Sequence, residues 1–196
     1  MDFKSFPKDK LGYDAIVVFV CRLSKRPISV PCYSTATARD LAEMFIDRVW
    51  RHYGPPDSMV SDRGPQFISD FWHKFTSILQ VKLALSTADH PQTDGQTEIV
   101  NQYIDQRLRP FVNYYQDDWS RWLPIVDFAQ ASLHHELTGQ SPIMTEMGYE
   151  PRTSFDWKPI APALSAKEKL NREEAQALTK RLHDVWEIAR GNIQKA

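Results

Sequence analysis

An α/β fold built on a mixed central sheet is what this sequence predicts, and three observations carry the prediction. Apolar, β-branched runs come first, in meander order. Strand-like and helix-like segments then alternate, and Gly-Pro punctuation separates them. Tyr13 to Leu23 (YDAIVVFVCRL) reads as a buried strand bounded by Gly12 and by Ser24-Lys25-Arg26-Pro27. Residues 28–33 (ISVPCY) read as its hairpin partner, with Pro31 favouring an edge or a strand end. Thr35 or Thr37 caps a helix running to Tyr53, with Leu41, Phe45, Ile46 and Val49 on one face and Gly54-Pro55-Pro56 as its stop. A short strand, Asp57 to Ser61, leads into the polar turn Asp62-Arg63-Gly64-Pro65, and Phe67 to Leu79 gives a second helix. Val81 to Ser86 alternates as a strand does. A polar segment with Pro91 and Gly95 precedes a long helix from Thr93 or Gly95 to Asn113, and another runs from Trp119 to Glu136.

The 196 residues suffice for one full-sized domain and an appendage. Residues 1–155 are expected to form the core, 156–164 a Pro-rich linker, and 165–196 a charged helical extension with a narrow apolar stripe. No apolar run approaches the roughly 20 residues needed to span a bilayer, so no membrane partner is expected. A net charge of −1 argues against a protein that simply coats DNA, which needs a basic excess; it leaves open an enzyme that holds DNA through metal ions and local patches. Cys21 and Cys32 lie in apolar, strand-like segments and read as buried free thiols of a reducing compartment.

Three acids stand where chemistry wants them. Asp62 ends a strand and opens a Gly-Pro turn, Glu98 lies in the first turns of a long helix, and Asp2 sits where a strand beside Tyr13–Leu23 begins. Two strands and a helix thus offer three carboxylates, the donor type that hard divalent cations take. Taken singly, each acid is more often a solvated turn residue or a helix cap.

The stretches VSDRGPQF (60–67), HPQTDGQTE (90–98) with Asn101, and TGQSP with MGYEP (138–151) resemble integrases of gypsy-type long-terminal-repeat retrotransposons, as do the opening MDF and GYDAIVVFVCRLSK. The resemblance covers about residues 1–155, in the family's order and spacing. It implies an RNase H-like fold, with a mixed five-stranded central sheet flanked by helices and, here, a C-terminal helical extension. It also implies a triad of Asp2, Asp62 and, after 35 intervening residues, Glu98, holding two Mg²⁺ ions for which Mn²⁺ substitutes. Asn101, three residues after Glu98 on the same helical face, matches a supporting position. Arg63, Pro65, His90, Gln92 and Gln96 are the DNA-contacting candidates; loop structure or solvation is the plainer reading of each. Arg107 and Arg109 are further phosphate ligands on the same terms. The sequence departs from the family at Cys21, where an Asp is common, and at Asp89, where an aromatic is usual. Asp14 is a weaker substitute for Asp2, because it opens the next strand. The adjacent His134 and His135 invite a metal reading, but neighbours in a helix point about 100° apart and chelate one ion poorly.

The implied activity is Mg²⁺-dependent trimming of the 3′ ends of element DNA and their joining to target DNA, in the nucleus, by a homo-dimer or higher oligomer on double-stranded DNA. The alternative is a catalytically degenerate core acting as a dimerisation or DNA-tethering module. With no His/His/Cys/Cys segment before Asp2 and no basic barrel after Ala196, the expectation is an excised core supporting partial reactions such as reversal of strand transfer.

Overall fold

The computed structural model describes residues 1–85, 104, 108–152 and 173–184. Strands β1 (Asp2–Ser5), β2 (Ala15–Val20) and β3 (Pro27–Cys32) form an antiparallel sheet in the order β1-β2-β3. Asp2 pairs with Val18 on one side of β2, and Val20 with Pro27 on the other. Pro31 costs no ladder bond because β3 lies at the edge of this sheet. Strands β4 (Ser58–Ser61) and β5 (Lys82–Leu85) form a parallel pair, crossed over by α2 (Asp70–Ile78). One five-stranded sheet is expected from the sequence; among the described residues five strands form, but as two sheets of three and two. A hydrogen bond crosses the seam, from the Met1 ammonium to the Val60 carbonyl at 2.8 Å.

Helix α1 (Ala38–Phe45) starts at Thr37, whose hydroxyl accepts the Asp40 N–H while the Asp40 carboxylate accepts the Thr37 N–H, a reciprocal cap. It continues through a π-helical turn (Ile46–Trp50) into Arg51–Tyr53 and stops at Gly54, φ 72°. The wider turn shifts the register of the apolar face. Leu41 and Phe45 are buried and Val49 packs on the core, but Ile46, expected on that face, is 43% exposed. Beyond β5, Ile104 and Leu108 are helical and buried, and the chain turns at residues 109–112 rather than continuing to Asn113. Pro110 lacks the N–H that would carry the helix on and disfavours helical backbone at Arg109. The predicted Trp119–Glu136 helix is a 3₁₀ turn (Trp119–Trp122) followed by α3 (Leu123–Ser132). A short α4 (Pro142–Met147), not anticipated, is capped by Ser141 and closed by Gly148 at φ 76°. The TGQSP and MGYEP motifs are therefore the two ends of a helix, joined by the Ser141 hydroxyl donating to the Glu150 carboxylate.

The antiparallel sheet is covered on both faces, so β2 is apolar throughout. Ala15, Val17 and Phe19 face α1 and α2 over Leu41, Phe45, Phe67 and Trp72. Ile16 and Val18 face Ile104, Leu108, Trp119, Leu123 and Val126. Residues 173–184 form a helix, and Arg181 lies over the Trp122 ring, 4.0 Å from its centroid. Among the described residues, no helix is long and apolar enough to cross a membrane.

Candidate active site

Strand alternation decides which face Asp2 takes. Residues directly opposite in an antiparallel pair share a face, so Asp2 projects with its partner Val18, toward the side covered by Ile104 and Leu108. Phe3, opposite Val17, goes the other way and packs at 5.6 Å from Phe67. On β4, Met59 is buried in the same core as Phe67, so Val60 and, by the same alternation, Asp62 look to the opposite side. The Met1–Val60 bond sets the first residues of β1 beside the last of β4. Asp2 and Asp62 thus come from neighbouring strands, each one or two residues from that bond, and both are half-buried.

Asp62 is held by its own turn. Its Oδ1 accepts the Gly64 N–H at 3.0 Å, and the Gly64 carbonyl accepts the Phe67 N–H at 2.9 Å. A Cβ at position 64 would stand 3.1 Å from Asp62 Oδ1 and 3.3 Å from the Phe67 ring, closer than nearly all real Cβ contacts. Gly64 is a residue the sequence reading left without a role, although its place two residues after Asp62 in the turn is the signal that reveals it. The Gln66 side chain donates to the Ala36 carbonyl at 3.1 Å and ties this turn to the start of α1. Arg63 and Pro65, on the same turn, are exposed. Glu98, Asn101, His90, Gln92, Gln96, Arg107 and Asp89 lie outside the described residues. Among the described residues no three His, Cys, Asp or Glu side chains group to hold a metal ion.

Other candidates resolve into structural roles. Asp14 accepts both the N–H (2.6 Å) and the hydroxyl (2.7 Å) of Ser34, which hold its carboxyl below the usual range and commit it to the β3 end. His134 and His135 fall after α3 ends, correcting their helical placement. His135 pairs with Gln140 through its backbone, Nδ1 receives the Leu137 N–H at 3.3 Å, and burial lowers its pKa. Cys32 is buried and its thiol is pushed up to about 12 by desolvation, with the Asp14 charge adding to it. Cys21 is exposed, which corrects its expected burial: it lies just past the last residue of β2, in the hairpin turn.

Two polar clusters were not foreseen. The Glu146 carboxylate accepts from the Ser24 hydroxyl (2.6 Å), Arg26 (2.7 Å) and the Tyr53 hydroxyl (3.2 Å), joining the β2–β3 turn to α4 and to the end of α1. Asp127 on α3 accepts from Ser29 on β3. Its signal was legible: a lone carboxylate inside the apolar run LPIVDFAQAS.

Residues 1–91 match the integrase core domain family model. The Tf2-3 and Tf2-4 transposon polyproteins of Schizosaccharomyces pombe are each 32% identical over 154 residues, 79% of this chain. The chain spans 12% of the length of those polyproteins. Among solved structures, the simian T-cell lymphotropic virus intasome in complex with the PP2A regulatory subunit B56 gamma aligns at TM-score 0.61 and 16% identity, over 84% of this chain and 58% of that one. The HTLV-2 integrase catalytic core in complex with magnesium, in its dimeric form, aligns at 0.53 and 18%, over 72% and 90% of the two chains. The BIV integrase core aligns at 0.56 and 19%, over 72% and 88%. At such identities the likeness shows the fold, an α/β fold of the RNase H-like type. Residues 1–91 of this chain belong to the integrase core domain family, and its curated relatives are retrotransposon polyproteins.

Proposed function

We propose that this chain is the catalytic core of a gypsy-type retrotransposon integrase, a polynucleotidyl transferase that trims the 3′ ends of element DNA and joins them to target DNA. The observation that carries the reading is the juxtaposition of Asp2 and Asp62 on neighbouring strands, facing the side where Ile104 and Leu108 pack. Glu98 lies six residues before Ile104 in the sequence, and we assign it as the third acid, with Asn101 supporting it.

The donor set suits a hard divalent cation. Asp2 and Asp62 are carboxylates, both are partly open to solvent, and the Gly64 N–H engages only Oδ1 of Asp62, so Oδ2 is the oxygen offered to an ion. When bound, two Mg²⁺ or Mn²⁺ ions stabilise the charge on the attacking and leaving oxygens of an in-line displacement at phosphorus. Asp2, Asp62 and Glu98 would hold those ions, and the Gly64 N–H anchors Oδ1 of the Asp62 carboxylate. Arg63 and Pro65 on the exposed turn, with His90, Gln92 and Gln96, position the DNA. The protein supplies no nucleophile: water attacks in trimming and a DNA 3′-hydroxyl in joining, with the displaced 3′ oxygen leaving each time.

Residues 1–155 are assigned as the core, 156–164 as a linker and 165–196 as an extension, which the Arg181–Trp122 contact supports as resting on the core. A homo-dimer on double-stranded DNA, acting in the nucleus, is part of the same proposal. Ile46, Trp50 and Tyr53, 43–47% exposed along one stripe of the 38–53 helix, offer the apolar face a dimer needs. Replacing Glu98 by Gln tests the assignment directly. Metal-dependent joining or its reversal should be lost while the thermal transition stays within about 2 °C, because a carboxamide is isosteric with the carboxylate it replaces. Retained joining overturns the assignment and leaves the tethering role.

A further inference from the structure

Soon after Leu108 the chain makes a turn that is fastened from several sides. The Asn113 carbonyl accepts the Gln116 N–H at 3.0 Å, which closes a β-turn over Tyr114 and Tyr115. The Asn113 N–H donates to Asp118 Oδ1 at 3.0 Å, its side-chain amide donates to Asp117, and the Asp117 N–H returns to Asn113 Oδ1 at 3.3 Å. Lys10, from the β1–β2 connection, donates its N–H to the Asp117 carbonyl at 2.8 Å and sets its ammonium 3.2 Å from the Asp117 carboxylate. Gln116 is kept at φ 56°, a left-handed conformation that a residue with a Cβ adopts where its neighbours enforce it. Held in this way, the turn presents two aromatic rings to solvent. Tyr114 is 93% exposed and Tyr115 79%, with ring centroids 5.6 Å apart and planes at 84°.

Tyr114 also lines a groove of about 560 Å³. One wall is the chain from Lys4 to Pro7, and the other is formed by the turn through Arg109, Asn113 and Tyr114. Among the described residues its charged side chains are Lys4 and Arg109, both cations. The acids of the turn are engaged elsewhere, Asp117 with Lys10 and Asn113, Asp118 with Asn113 and Trp122. Lys4 follows Asp2 by two residues on β1, so strand alternation puts both on one side, about 7 Å apart along the strand. The groove therefore leads from the neighbourhood of Asp2 to the two tyrosines.

We propose that this groove takes an unpaired DNA strand, with its phosphates at Lys4 and Arg109 and its bases stacked on Tyr114 and Tyr115. Cations along a trough with aromatic faces at its end suit such a strand, because phosphates follow the cations and every base has a face to stack. In a duplex the bases are already stacked on one another, so rings standing in solvent favour the unpaired form. The turn is fixed before the strand arrives, so little ordering cost falls on binding. The proposal rests on the catalytic reading for the source of the strand. Trimming a 3′ end removes nucleotides from one strand alone and leaves the complementary 5′ end unpaired, close to Asp2.

The test is binding without turnover. In EDTA, the full chain is titrated with a blunt duplex and with the same duplex carrying a short 5′ overhang that contains a fluorescent adenine analogue. The overhang should bind about ten-fold more tightly than the blunt end, and its fluorescence should be quenched by stacking. Replacing both tyrosines, Tyr114→Ala with Tyr115→Ala, should remove the preference and the quenching while blunt-end affinity and the thermal transition stay as they were. Replacing both by Phe, which keeps the ring, should retain them. Arg109→Gln should lower the salt slope of overhang binding by about 0.7, the share of one single-strand phosphate. Equal affinity of the parent for the two duplexes overturns the proposal. So does an unchanged preference in the alanine pair, which would leave the tyrosines to a protein partner. If Glu98→Gln retains joining while the overhang preference holds, the catalytic reading falls and the strand site stands.

Discussion

Asp127 on α3 accepts both donors of one residue on β3: the Ser29 N–H reaches Oδ2 at 2.7 Å and the Ser29 hydroxyl reaches Oδ1 at 2.8 Å. Desolvation raises the Asp127 pKa to about 6, outweighing the Ser29 bonds and the Arg26 charge, which lower it. The raised value means the native state holds its proton at pH values where the unfolded chain, near 3.8, has released it. The Asp127 contribution is therefore fully present below about pH 4 and is lost as pH rises to about 6, on the order of 3 kcal/mol across that window. Asp127→Asn, which keeps an acceptor and a donor for Ser29, should flatten the stability profile between pH 4 and 6 in urea titrations. An unchanged slope would remove Asp127 as its origin.

Gly64 controls Asp62 through space rather than through φ. An added methyl meets Asp62 Oδ1 at 3.1 Å and the buried Phe67 ring at 3.3 Å, and the ring is the less able to yield. Gly64→Ala should displace the Asp62 carboxylate and cut metal-dependent joining by ten-fold or more, since small misplacements of a reacting group cost about 10²-fold. Stability should fall by only about 1 kcal/mol. Wild-type joining in this variant would show that the turn does not set the position of Asp62.

What was legible in the sequence was local. The Thr37 cap, the Gly54 stop, the hairpin of β2 and β3 and the turn after Asp62 each depend on residues a few positions apart. What was not legible depends on distant partners. Ser29 and Asp127 lie 98 residues apart, Ser24 and Glu146 lie 122 apart, and Met1 and Val60, whose bond sets the start of β1 beside β4, lie 59 apart. No periodicity reports such pairs. The π-helical turn at Ile46–Trp50 was missed for a different reason: a helical template assumes 3.6 residues per turn, so Ile46 was placed on the buried face when it is 43% exposed.

Trp122 receives two cations. Arg181 from the 173–184 helix lies 4.0 Å from its ring centroid and Arg121 lies 5.2 Å away, while its Nε1 donates to Asp118 at 3.3 Å. Burial and the neighbouring Arg121 charge lower the Arg181 pKa, with Asp118 partly offsetting them. Leu178 on the same helix is 59% exposed and Leu182 half-buried, and the Arg181–Trp122 contact is a point at which the described part of this helix docks. Trp122→Ala should expose residues 173–184 to limited proteolysis several-fold faster, and Arg181→Lys should fall between it and the parent, because an ammonium stacks less well on a ring. Equal cleavage rates in all three proteins would mean that the helix is held elsewhere.

Glu146 serves three donors at once: Ser24, which is fully buried, Arg26 and Tyr53. Glu146→Ala leaves the Ser24 hydroxyl without its acceptor and Arg26, whose side chain is only 24% exposed, without its counter-charge. Because orphaning a buried partner costs more than the bond itself contributes, the loss should be about 2–4 kcal/mol. Arg26→Ala alone should cost less, since a carboxylate that keeps Ser24 and Tyr53 remains solvated by hydroxyls. The double variant should cost clearly less than the two singles together, and chemical denaturation of all four proteins measures that coupling. Strict additivity would show that the three donors act independently, and that the β2–β3 turn is positioned by its own backbone rather than by α4.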